Sequence, residues 1–153
     1  MDPNNPIVKL CAAGIAAEGE GRAEDAKALF DQAWAESRDD FEACIAAHYL
    51  ARYQPTLAAE LEWNRTAVER ADRVADERVR DFYASLYLNL GHSLEKLGRA
   101  AEACELYQRA AERAEEMPDS PYARLVRMGI AAGRERTCPA AAPRDGDTTP
   151  RLH

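Results

Sequence analysis

The side chains best suited to chemistry in this chain are its cysteines and histidines. Cys44 and His48 stand four positions apart, which puts a thiol and an imidazole on one face of a helix. Cys11 and His92 fall on helices expected to flank that one, and these four groups are donors that zinc or copper selects. Distance speaks against a shell. Stacked helices keep their axes roughly 8–10 Å apart, too far for four such side chains to close on one ion. A cysteine on an apolar face serves more often as a small hydrophobe, and a Cys11–Cys44 disulfide would need Cα atoms within about 7 Å. His48 and His92 could exchange protons near neutral pH, the second beside Glu95. Catalysis needs more than that: no nucleophile with an orienting partner accompanies them, and the glycines follow helix geometry rather than a phosphate-cradling loop. No catalytic residue, metal site or cofactor is therefore assigned.

Composition narrows the partners. A formal net charge of −7 disfavours non-specific nucleic-acid binding and anionic membrane surfaces, both of which need clustered Lys and Arg. The apolar stretch at residues 7–17 is broken by Lys9 and preceded by Asp2, unlike a secretory signal, and no run approaches a membrane span. Cys11, Cys44, Cys104 and Cys138 show no CxxC spacing, so reduced thiols in a cytoplasm are expected. With 46% hydrophobic residues, much alanine and few strand formers, the 153 residues read as one all-α domain.

The elements follow from periodicity and punctuation. Asn5-Pro6 opens a first helix that stops at Gly21, and Ala26, Leu29, Phe30, Ala33 and Trp34 form the apolar stripe of a second. Asp39 or Asp40 caps a third helix ending before Pro55, and Thr56 caps a fourth. Asp76 is the expected cap of a fifth, from about Glu77 to Leu97, and a sixth runs from Ala100 to Glu116. A last helix at about 120–136 carries Tyr122, Leu125, Val126, Gly129, Ile130 and Gly133 on one face, and a tail at 137–153 is expected to be disordered. The charged stretch at 69–81 reads as a solvated face with i,i+4 pairs. Trp34 and Trp63 read as core, Tyr49 and Tyr53 as core or interface, and the sequon Asn64-Arg65-Thr66 as incidental.

Two stretches repeat. Leu10, Gly14, Gly21, Arg22, Ala23, Ala26, Phe30 and Ala33 recur 77 positions later as Tyr87, Gly91, Gly98, Arg99, Ala100, Ala103, Tyr107 and Ala110. An eroded copy lies between them, with Ala43, Ala46, Ala47 and Leu50 and then Ala59 and Trp63, followed by roughly ten extra residues. The last copy reads Tyr87-x2-Leu90-Gly91-x2-Leu94, then Ala103-x3-Tyr107. This resembles the tetratricopeptide repeat pattern of W-x2-L-G-x2-Y followed by A-x3-F. Repeats at about 6–38, 39–75 and 77–117 plus the capping helix make a single domain at 1–136.

The resemblance implies a right-handed superhelical stack of about seven helices, an α-solenoid with a concave groove lined by the first helix of each pair. Carried onto this chain, the groove residues are Val8, Cys11, Ala12 and Ile15, then Phe41, Cys44, Ile45, His48 and Arg52. The third pair supplies Ser85, Leu88, Asn89, His92, Glu95 and Lys96. Family members that grip a C-terminal carboxylate use Lys, Asn and Arg at places held here by Cys11, Ile15, Ile45, Ser85 and Asn89, and only Asn89 is compatible. The expected function is a non-enzymatic adaptor binding a protein or peptide segment in a mostly apolar groove. The alternatives are a self-associating structural unit, as a homodimer, and a small-ligand or metal-binding accessory protein using the groove Cys and His residues.

Overall fold

The computed structural model describes residues 1–140. Seven α-helices fill them: α1 (Pro6–Gly19), α2 (Ala23–Glu36), α3 (Asp40–Leu50), α4 (Leu57–Val74), α5 (Tyr83–Lys96), α6 (Ala100–Glu115) and α7 (Pro121–Thr137). Two 3-10 segments, Ala51–Tyr53 and Glu77–Phe82, extend α3 and precede α5. Among the described residues there is no strand. Local chemistry sets the starts. The side chains of Asn5, Asp39, Thr56 and Ser120 each accept a backbone N–H from the first turn of α1, α3, α4 and α7.

The helices pack as antiparallel pairs, α1 on α2, α3 on α4 and α5 on α6, and each pair meets the next through α2–α3 and α4–α5. The terminal helix α7 lies against α6 and α5. The 77-residue echo is a physical repeat. A Cβ on Gly14 would stand 2.4 Å from the Phe30 ring, and one on Gly91 would stand 2.8 Å from Tyr107, so both helices approach an aromatic ring that only glycine admits. Between the paired helices, Gly21 at φ +74° and Gly98 at φ +77° take the left-handed turn. Arg22 and Arg99 then reach Asp25 and Glu102 in the same way.

Each ring is enclosed on a second side. Tyr49 stacks on Phe30 with centroids 5.1 Å apart and Tyr53 tilts against it at 5.8 Å, so both tyrosines serve the core. Tyr107, fully buried, also touches Gly133 of α7. Trp34 and Trp63 meet edge to face at 4.9 Å, half-buried across α2 and α4.

Four expectations need correction. The span opening at Glu77 is a 3-10 segment, not the first turns of α5; Asp76 does cap it, accepting from the Arg78 backbone N–H, and Ala75 in the left-handed region ends α4. The charged stretch pairs mainly across elements: Arg70 with Asp40 at 2.9 Å and Arg80 with Glu116 at 3.7 Å, while Tyr83 donates to Asp72 at 2.6 Å. The expected tail begins too early, since Thr137 closes α7; residues 141–153 lie outside the described residues. Finally, Cys104 and Cys138 form a disulfide with Cα atoms 5.1 Å apart, in place of four reduced thiols.

One buried charge ties the first two pairs together. Glu42, 1% exposed at the start of α3, accepts from the Arg38 backbone N–H at 2.8 Å, the Arg38 guanidinium at 2.9 Å and the Asn5 amide at 3.0 Å. Arg38 first, and then its other donors, hold this carboxyl below the usual glutamate range. Its contribution is present above that range and is lost as pH falls through the lowered value. Glu42→Gln should cost on the order of 1 kcal/mol at pH 7 in urea denaturation. Unchanged stability would show that the three bonds are dispensable.

Candidate functional site

The helices bring four of the expected groove residues to one place. Arg52, Asn89, His92 and Lys96 line a pocket of about 190 Å³ with Ala51, Glu60 and Asn64. Its floor is a connected network between α4 and α5. Asn64 Nδ2 donates to Ser93 Oγ at 2.8 Å, Ser93 donates to Glu60 at 3.0 Å, and Lys96 donates to the same carboxylate at 2.9 Å. Ser93 is 1% exposed, so its hydroxyl holds the helices together and cannot meet a substrate. Asn64 is buried too, which closes the sequon to modification.

Across the pocket, the Arg52 guanidinium lies 5.0 Å over the Tyr49 ring and pairs with Glu18 at 3.1 Å, and Tyr53 donates to the same glutamate. Each cation is thus matched by a carboxylate. The rim offers both donors and acceptors without a dominant sign. Half-buried His92 has its ring 5.6 Å from Tyr107 and is held below the ordinary histidine value, chiefly by burial. Below it, Glu95 accepts from Tyr107 and pairs with Arg136 of α7. Beside the pocket, His48 Nδ1 lies 3.3 Å from the Asn89 amide nitrogen, which can only donate, so the imidazole accepts.

The other groove residues are placed differently. Cys11, Phe41, Cys44, Ile45 and Leu88 are buried in the core clusters, and the polar Ser85 and His48 are buried as well. The 3-10 segment Glu77–Phe82 covers the middle of the expected groove: Arg78 lies 4.9 Å over the Phe41 ring and Phe82 sits 4.8 Å from the His48 ring. Tyr122 of α7 covers Ser85 through a hydroxyl hydrogen bond, and Gly129 of α7 faces Leu88. Val8 is half-buried and Ile15 exposed, away from the pocket.

Burial pushes both the Cys11 and Cys44 thiols up to about 12, so neither is a thiolate at neutral pH. Among the described residues, no group of three or more His, Cys, Asp or Glu side chains is placed to hold a metal ion. No helix of the described residues is long and apolar enough to cross a membrane.

Sequence reasoning missed Glu60 and Asn64. Both come from the second helix of a pair, whereas the family pattern assigns groove positions to first helices alone. The one available signal was the polar Asn64 in register with an apolar stripe. No protein-family model, curated protein or solved structure matches the chain.

Proposed function

We propose that this protein is a non-enzymatic, tetratricopeptide-type interaction module, a right-handed superhelical stack that binds a protein or peptide segment at the open end of its concave face. The observation that carries the reading is the convergence of Arg52, Asn89, His92 and Lys96, from α5 and the turn after α3, on one pocket. The repeated contacts of Gly14 with Phe30 and of Gly91 with Tyr107 support the repeat architecture behind it. The pocket's chemistry refines the expected ligand. Matched cations and carboxylates suit the alternating N–H and C=O groups of a peptide better than an anion or a purely apolar helix. A cytoplasmic location belongs to the same reading and would keep Cys104 and Cys138 as thiols, so their redox state in cells tests it.

Selection from a displayed random peptide library tests the binding. Peptides enriched on the wild type should lose about tenfold or more in affinity on the Asn89→Ala, His92→Ala double variant, the loss of two or three pocket hydrogen bonds. Failure to enrich any sequence, or equal binding to the variant, would remove the pocket from the proposal.

A further inference from the structure

The concave face holds a second cavity, separated from the first pocket by one side chain. It measures about 440 Å³, with walls of Tyr49, Phe82, Tyr122 and Met1 and a rim of Glu77, Arg78 and Asp81. His48 is the partition. Its ring meets Tyr49 at 4.9 Å and Phe82 at 4.8 Å in this cavity, and accepts from Asn89 in the first pocket. Arg52 of the first pocket likewise lies 5.0 Å over Tyr49. One imidazole and its contacts span about 10 Å, the reach of three residues of extended chain.

Packing fixes the walls. Phe82 closes the 3-10 segment Glu77–Phe82, and Tyr49 stacks on Phe30. Tyr122 is tied to Ser85 by its hydroxyl yet stays 51% exposed. The rim is not neutral. Arg78 is engaged within the molecule: its Nη2 donates to Asp76 Oδ2 at 2.8 Å, its Nε donates to both carboxylate oxygens, and the group lies over Phe41. Arg80, the other cation of the segment, faces Glu116 at 3.7 Å. Glu77 and Asp81 are exposed, and their carboxylates have no ion-pair or hydrogen-bond partner among the described residues. Two carboxylates therefore stand beside three aromatic rings with no side-chain cation to balance them.

That combination selects an organic cation. The rings attract it through their quadrupoles, and the carboxylates accept its N–H groups in charge-assisted hydrogen bonds. An apolar side chain in the cavity would desolvate the carboxylates without replacing their water, and an anion would be repelled. The same wall already holds guanidinium groups on rings, Arg52 over Tyr49 and Arg78 over Phe41. We propose that the second cavity receives a lysine or arginine side chain of the peptide segment bound by the first pocket, about three residues along it. The inference rests on the peptide-binding reading and adds its specificity, a basic residue at a fixed spacing. The net charge of −7 draws such a segment toward the molecule.

Selecting the displayed random library in parallel on the wild type and on a Glu77→Gln, Asp81→Asn variant tests this. Both positions are exposed and both changes preserve shape, so the variant keeps the fold. The wild type should enrich lysine or arginine at one fixed position, and the variant should not. Replacing that residue by norleucine in a synthetic peptide should cost about tenfold in affinity on the wild type and almost nothing on the variant. Enriched peptides without a preferred basic position, or an equal norleucine loss on both proteins, overturn the inference and leave peptide binding at the first pocket intact. Failure to enrich any sequence overturns both.

Discussion

Reducing the Cys104–Cys138 disulfide should lower the stability of this protein by about 4 kcal/mol, the loop-closure entropy of the 34 residues it spans. The bond joins the second turn of α6 to the residue just after α7, so the closed loop holds most of α6, all of α7 and their connection. In the unfolded chain it removes conformations that the reduced chain regains. The helices of this loop are otherwise anchored by Tyr107 against Gly133 and by Arg127, whose guanidinium donates to the carbonyls of Ala114 and Met117 at the end of α6. Urea denaturation with and without reductant measures the effect. Cys138→Ser should reproduce it under oxidising conditions, and reductant should add nothing to the variant. Identical midpoints for oxidised and reduced wild type would mean that the bond leaves the stability unchanged.

Lowering the pH from 7 to 5 should cost about 2 kcal/mol of stability through His48 alone. The imidazole sits 6% exposed between the rings of Tyr49 and Phe82, and burial, with help from Arg52, lowers it from 6.5 to about 3. In the unfolded chain it takes its proton near the ordinary value. Between those two values the unfolded state binds the extra proton, so stability falls as pH drops through the window. The contact with Asn89 gives the structural reason: a protonated ring would turn a second donor toward the amide nitrogen. His48→Gln, which cannot titrate, should lose about 2 kcal/mol less than wild type between the same two pH values. Parallel pH profiles for the two proteins would show that His48 protonates without unfolding pressure.

Much of this architecture is readable without coordinates because it rests on local physics. The caps at Asn5, Asp39 and Thr56 depend on one side chain and the next three backbone amides. The Gly14–Phe30 and Gly91–Tyr107 contacts leave a matched pair of marks because each joins neighbouring helices through a short turn. Arg52, Asn89, His92 and Lys96 could be named because the resemblance to the tetratricopeptide pattern carries groove positions onto the first helix of each pair.

The residues that the sequence could not place are those whose neighbours lie across the fold. Cys104 and Cys138 have no spacing that marks a pair, and only the packing of α7 on α6 brings them within bonding reach. The extra residues after α4 carry charges that suit a solvated face, yet the fold turns them back over α3, where Arg78 covers Phe41 and Phe82 meets His48. By itself, the sequence determined the helices, their pairing and the repeat, since these follow from i,i+4 periodicity and turns a few residues long. Only the tertiary structure decided which part of the first-helix face stays open. That depends on where an insertion and a terminal helix come to rest, and their resting places are set by burial against side chains up to tens of positions away.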